Sequence, residues 1–202
     1  YFGLEFSYET IPNELVPFDY DTFAAFPGHV EAVVTSLDTG KAEYMEVPRR
    51  DEKFLLLQAT CALPLMFPIY HLDGKPYLDG GAADAIPFRR AFEQGCDRAV
   101  VILTKPRDFV RKAEKLQRLI ERRYREYPNF CQTMRERAEK YNADKEELFE
   151  LERQGKVLIF APDSLHGVGR IEHNVEKLRL LWGEGYQHGV ERMEELESFL
   201  GR

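Results

Sequence analysis

Tyr77-Leu78-Asp79-Gly80-Gly81 sets a carboxylate at the tip of a short apolar strand and removes the side chains that would crowd it. The carboxyl end of a strand is where open α/β sheets assemble their sites. Glycines at 80 and 81 let the chain turn sharply and leave room for a neighbouring group. An Asp desolvated there has its pKa raised toward neutrality and becomes a general base. The same residues also read as an ordinary turn, because Asp-Gly is among the commonest turn dipeptides. The local pattern leaves both readings open.

Other candidates for chemistry are weaker. His71, Asp73 and Asp84 lie close to Asp79 in sequence and can be drawn as an oxygen-rich metal site. His71-Leu72-Asp73-Gly74-Lys75 is better explained as a hairpin turn, and the regular ligand spacing and terminal Glu of a calcium loop are absent. The serines are Ser7, Ser36, Ser164 and Ser198, and none stands in Gly-x-Ser-x-Gly. Ser164-Leu165-His166-Gly167 pairs a hydroxyl with an imidazole, but residues two apart on an extended segment are not positioned for proton transfer, which favours a loop. Cys61, Cys96 and Cys131 form no CxxC, and their odd number points to a reducing compartment and against a disulfide framework. Cys61, inside an apolar stretch, reads as packing. No Gly-x-Gly-x-x-Gly or Walker-type loop supports a nucleotide cofactor.

The elements that must position Asp79 follow from periodicity. His29–Gly40 reads as a strand ending in a turn, and Lys41–Pro48 as its hairpin partner. Asp51–Leu63 reads as a buried helix ended by Pro64. Pro87 opens a helix that Gly95 caps. Ala99–Leu103 is an apolar run suited to a parallel strand covered on both faces. Lys105–Glu126 has helical apolar spacing, Asn129–Arg153 a polar helix broken near Asn142–Asp144, and Lys156–Phe160 a short strand. Val175–Leu200 reads as a helix interrupted at Gly183–Gly185. Residues 1–28 read as loop plus one short helix near Asp21–Phe26. Strands alternating with helices predict an α/β layered fold with a mostly parallel sheet flanked by helices.

Bulk properties narrow the class. The 202 residues are 44% hydrophobic and 31% charged, with a net charge of −7, which argues against a general nucleic-acid binder. The longest uncharged run, Phe54–Tyr70, is too short and too broken by Pro64 and Pro68 to span a bilayer as a straight helix. Lys105–Glu126 is locally basic, nine Lys/Arg against four Asp/Glu, so anionic lipid heads could be attracted there. A core helix with a solvated basic face is the simpler reading.

Cys61–Phe88 (CALPLMFPIYHLDGKPYLDGGAADAIPF) resembles the C-terminal catalytic block of patatin-like phospholipases, and the segments after Thr104, including Lys156–Asp163 and Gly185–Leu200, are similar to the tail of a bacterial branch of that family. The pieces appear in that family's order: small residues running into Pro64 and Phe67-Pro68, the turn Asp73-Gly74, then Asp79-Gly80-Gly81 and Ile86-Pro87. Val33–Met45 resembles the family's strand before that helix, so the likeness spans roughly Val30 to Thr104.

The resemblance implies a layered α/β fold, incomplete on its N-terminal side, with a helical C-terminal region. Residues 1–104 would form the C-terminal portion of the catalytic domain. Residues 105–202 would be a helical extension with one strand near 156–161, packed on the same domain. A Ser-Asp dyad is implied, of which only the Asp transfers, as Asp79, with Gly80 and Gly81 completing its motif. The implied substrate is a lipid ester or phospholipid, with no metal and no cofactor. The nucleophile elbow and the Gly-rich oxyanion segment are absent from these residues, and the chain begins at Tyr1. A fragment or processed product of a longer enzyme is therefore expected, inactive on its own. A non-catalytic lipid- or partner-binding module is the alternative, resting on the missing serine and the basic stretch. Cytoplasmic residence, with peripheral membrane contact, completes the expectation.

Overall fold

The computed structural model describes residues 3–169 and 171–201. In chain order, a π-helix (Phe6–Leu15) and α1 (Tyr20–Ala25) precede the hairpin strands β1 (Glu31–Ser36) and β2 (Ala42–Glu46). Next come α2 (Leu55–Thr60), a second hairpin of β3 (Tyr70–Leu72) and β4 (Lys75–Asp79), α3 (Phe88–Glu93) and β5 (Ala99–Ile102). The remainder is α4 (Gln117–Arg123), α5 (Pro128–Arg153), β6 (Val157–Phe160), α6 (Val175–Glu191) and α7 (Met193–Leu200). These elements fall into two compact units. The first holds the residues up to Ala85 with Lys112–Tyr141; the second holds Ile86–Arg111 and the residues from Asn142 onward.

In the first unit the sheet order is β2-β1-β4-β3. Every pairing in it is antiparallel, with Val34 opposite both Glu43 of β2 and Asp79 of β4. The β3–β4 turn is Asp73-Gly74, both residues in the left-handed region (φ 50° and 78°) that tight hairpins require. At the β1–β2 turn Gly40 has φ 69°, and a Cβ there would lie 2.6 Å from the carbonyl oxygen of Asn129. The start of α5 docks on this turn. Asn129 Nδ2 donates to Asp38 O at 2.7 Å and Thr133 Oγ1 donates to Gly40 O at 2.6 Å.

The core of this unit joins Val34, Leu37, Tyr77 and Leu78 of the sheet region to Ile120, Tyr124, Phe130 and Met134 of the helices. Tyr124 and Phe130 meet edge to face with centroids 5.1 Å apart. The Tyr124 hydroxyl accepts from Leu65 N–H at 2.9 Å, so its polar end is satisfied inside the core. In the second unit β5 and β6 pair in parallel, Ala99 opposite Val157 through Ile102 opposite Phe160. Val157, Leu158, Ile159 and Leu148 are buried there.

Several expectations are corrected. The protein is mixed α/β, but its larger sheet is antiparallel and only the β5–β6 pair is parallel. Two consecutive hairpins explain this, because a tight turn can join only antiparallel neighbours. β5 is not covered on both faces: Ile102 is 77% exposed. The first 28 residues hold a π-helix in addition to α1, whose first turn is capped by the Asp19 carboxylate accepting from Thr22 N–H at 2.9 Å. The helix expected over Asp51–Leu63 is only Leu55–Thr60, and Cys61 caps it as an exposed residue instead of packing inside.

The helix expected over Lys105–Glu126 exists only at Gln117–Arg123, and α5 is unbroken at Asn142. One arrangement explains both. The Asn142 side chain donates to Arg111 O at 3.0 Å and accepts from Arg111 N–H at 2.9 Å. Lys145 Nζ donates to Arg107 O and Phe109 O at 3.0 and 2.6 Å. Backbone groups that a helix would satisfy internally are satisfied by α5 side chains, so residues 107–111 need no helix. α6 likewise runs through Gly183 and Gly185, where an added Cβ would meet nothing within 4 Å. It ends at Arg192, whose guanidinium donates to Ile159 O at 2.8 Å. Among the described residues no helix is long and apolar enough to cross a membrane.

Truncating Phe130 to Ala empties a fully buried ring site between α5 and Tyr124. We expect a loss of about 3–5 kcal/mol, read as a lower denaturation midpoint with an unchanged slope. A change below about 1 kcal/mol would contradict the packing described.

Candidate functional site

Asp79 ends β4, and three elements hold its backbone. Its N–H donates to Ala62 O at 3.0 Å, just beyond α2. Its carbonyl accepts from Thr35 Oγ1 of β1 at 2.8 Å. Its partner across the sheet is Val34. Thr35 is fully buried and acts twice, since the same hydroxyl oxygen also accepts from Ala83 N–H at 3.2 Å. One hydroxyl thus brackets both ends of the Asp79–Ala83 turn. The Asp79 carboxylate is oriented by its own turn: Oδ1 accepts from Gly81 N–H at 2.7 Å. That bond opens a single 3₁₀ turn over Gly80–Ala82.

The two glycines serve different purposes. The chain at Gly80 passes so close to β1 that a Cβ would sit 2.1 Å from Val33 O and 2.5 Å from Val33 C. Both are backbone atoms within the sheet, and the Val33 oxygen is also held by the Thr60 hydroxyl, so neither can retreat. A Cβ on Gly81 would instead meet Asp79 Oδ1 at 3.0 Å, pressing on the carboxylate itself. From α5, Arg137 Nε donates to Gly81 O at 2.8 Å and sets a guanidinium beside the turn.

Asp84 follows five residues on. It is buried, its Oδ2 accepts from the Tyr44 hydroxyl at 2.5 Å, and its Oδ1 has no hydrogen-bond partner among the described residues. It edges a cavity of about 430 Å³ that Lys41, Tyr44, Asn129, Thr133 and Lys140 also line. Tyr77 lies on the same sheet. Burial, reinforced by its 2.7 Å hydrogen bond to Glu43 Oε2, pushes its phenol well above the ordinary tyrosine range. It therefore remains a donor at all working pH values and ties β4 to β2 across β1.

The structure places Asp79, Gly80 and Gly81 together at one strand tip, as their adjacency requires. His71 and Asp73 lie in the β3–β4 hairpin, and Asp84 faces Tyr44 instead. Among the described residues no three His, Cys, Asp or Glu side chains converge as a metal site. Ser164 Oγ accepts from the backbone N–H of His166 at 3.1 Å, while His166 Nε2 is 2.7 Å from Glu184 Oε2. This is loop geometry with an oriented imidazole. Burial pushes the Cys131 thiol up from its ordinary value, as suits a packing residue. Sequence reasoning missed Thr35 and Arg137. A hydroxyl within the Val33–Ser36 strand is a weak signal for the first; nothing local marks the second.

Gly80→Ala is expected to destabilise the fold by roughly 3 kcal/mol or more, by overpacking against backbone. Gly81→Ala should cost less than about 1 kcal/mol while displacing the Asp79 carboxylate. Thr35→Val, isosteric but without the bracket, should cost about 1–3 kcal/mol. Thermal unfolding of the three variants checks the order, and equal effects at 80 and 81 would contradict the geometry.

Comparison with known proteins adds identity to this geometry. Residues 127–201 match a family model described as a domain of unknown function (DUF6363). An uncharacterized protein of Escherichia coli (strain K12), YjjU, is 34% identical over 98 residues, covering 42% of this chain. The chain spans only 28% of that relative's length. Residues 1–92, which carry the whole Asp79 turn, match the model of the patatin-like phospholipase family, bearing out the resemblance drawn from Cys61–Phe88 and associating this segment with lipid hydrolases.

Proposed function

We propose, from a segment that matches the patatin-like phospholipases, that this chain carries the base half of a Ser-Asp dyad, with Asp79 as the base of a serine acyl hydrolase acting on lipid esters or phospholipids. The observation that carries this reading is the carboxylate at the tip of β4, inside the matched segment, with its rotamer held by Gly81 N–H at 2.7 Å. The nucleophile is not among these 202 residues, which contain no Gly-x-Ser-x-Gly. In this reading a further segment of the parent protein supplies the serine and the oxyanion donors.

The chemistry then follows from the position of the carboxylate. Asp79 takes the serine hydroxyl proton as the oxygen attacks the ester carbonyl. Backbone N–H groups hold the tetrahedral oxyanion, and the alcohol leaves with the proton from Asp79. Asp79 next deprotonates water, which attacks the acyl-serine, and then returns that proton to the serine oxygen as the carbon–oxygen bond breaks and the free acid leaves. No cofactor enters these steps. Gly80 keeps the strand tip tight against β1, and Gly81 leaves the carboxylate uncrowded.

A peripheral lipid contact is the second reading, favoured by one observation. Leu116 and Leu119 are 53% and 50% exposed beside Arg118, Arg122 and Arg123 of α4, so apolar and cationic groups share one surface. Such a contact would bring a cytoplasmic enzyme to its substrate.

In the parent protein, Asp79→Asn is expected to lower ester turnover by about 100-fold or more, with weaker labelling by a fluorophosphonate probe. Unchanged turnover would exclude Asp79 as the base. The isolated 202-residue chain should show no turnover by this route. For the second reading, co-sedimentation with anionic liposomes should fall on charge reversal at Arg118, Arg122 and Arg123 and on raising salt. Binding indifferent to both would remove it.

A further inference from the structure

The second unit contains a cleft that the chemistry of Asp79 does not use. β5 and β6 run parallel, so both carboxyl ends open on the same side, and the loops leaving parallel strands are where such sheets hold ligands. Thr104 follows β5 there, residues 161–166 follow β6, and α6 forms a third wall. Between them lies a cleft of about 600 Å³, the size of a small-molecule site.

Its walls are mostly apolar, from Leu103, Phe160, Leu165 and Leu181. Among the described residues that line it the charged groups are of one sign, Asp163, Glu184 and Glu191, and the nearby Arg192 guanidinium is engaged over the Phe160 ring and with Ile159 O. Two imidazoles join Thr104, Ser164 and Gln187 in the uncharged polar lining. His166 stands at a turn with φ 49°, followed by Gly167 at φ 71°, and Val168 N–H closes the turn on Leu165 O at 2.7 Å. Its Nε2 lies 2.7 Å from Glu184 Oε2, which holds the ring and the carboxylate in fixed relative orientation across the cleft mouth. The His188 ring lies beside Phe160, centroids 5.9 Å apart.

We propose that this cleft is a binding site for a cationic amphiphile, an ammonium group on an apolar chain. The chain lies along Leu103, Phe160, Leu165 and Leu181, and the ammonium sits among Glu184, Glu191 and Asp163. An anionic amphiphile, such as the free fatty acid that the proposed hydrolysis releases, would bring a fourth carboxylate among three, with no Lys or Arg among the described lining residues to offset it. Phosphate-bearing ligands meet the same repulsion. An aliphatic ammonium gains Coulomb attraction from the three carboxylates, away from the Phe160 ring over which Arg192 already stacks at 4.4 Å. Apart from Ile102–Thr104, the cleft is lined from the segment matched by the domain of unknown function, and it is independent of the dyad, so either can fail without the other.

The test is calorimetric titration of the full 202-residue chain with dodecyltrimethylammonium, dodecanol and dodecanoate, each below its micelle concentration. The ammonium is expected to bind at least about tenfold more tightly than the other two. The double variant Glu184→Gln, Glu191→Gln replaces exposed carboxylates and should fold normally. It should lose that preference while keeping its affinity for dodecanol. Trp182→Ala, on the outer face of α6 and not in the cleft, should leave the preference intact. Equal or tighter binding of dodecanoate, a preference that survives in the double variant, or one that vanishes with Trp182 would each overturn the proposal. So would a calcium or zinc titration that displaces the ammonium, since the carboxylates would then be metal ligands.

Discussion

The backbone at residue 80 passes β1 closely enough that even a methyl group has no place, 2.1 Å from Val33 O. The position of Asp79 depends on that contact. β4 can end on β1 only if the next residue lacks a side chain, and the turn that follows is then fixed by what it meets. Thr35 supplies the meeting point, a buried hydroxyl bonded to Asp79 O and Ala83 N. The Asp79 carboxylate folds back onto Gly81 N–H, so its direction is set by the turn it caps. A close approach, one hydroxyl and one local cap together hold this turn and set the direction of its carboxylate at the strand tip.

An antiparallel sheet makes this arrangement rigid. Hairpins need little chain to close, so β1–β2 and β3–β4 bring their turns to defined places at small entropic cost. β4 then docks on β1, with β2 on its other side, and the site strand is central in the four. Central strands have both edges paired, which leaves little freedom for slippage. The first half of α5 closes the unit from another direction, through Thr133 on Gly40 and Arg137 on Gly81. A helix far along the chain therefore holds the β1–β2 turn and the Asp79 turn alike.

The second unit works by a different logic. Its two strands are parallel and its sheet is small, so their carboxyl ends and the loops beyond them are not filled by further strands. α6 presents Leu181, Glu184 and His188 to that end, while Trp182 and Tyr186 stack on each other on its exposed side. Two units thus place their polar groups by opposite means: one at the tip of a paired central strand, one in the space a short sheet leaves open.

The sequence by itself determined what short-range chemistry controls. Asp73-Gly74 demanded a tight turn, Asp79-Gly80-Gly81 marked a strand end, Pro87 a helix start, and the apolar runs before Leu103 and Phe160 were strands, because turn propensity and apolar patterning act within a few residues. The likeness around Cys61–Phe88 was legible for the same reason, being a dense local series of Pro, Gly and Asp. Only the tertiary structure decided strand direction, which depends on which partner closes a hairpin. It also decided the fate of residues 107–111, whose helical spacing lost to Asn142 and Lys145 bonding their backbone from another element. Gly183 and Gly185 looked like a break but have open space around them, so the helix continues. Why residue 80 must be glycine was equally hidden: the atom that forbids a side chain belongs to Val33, and only folding brings it there.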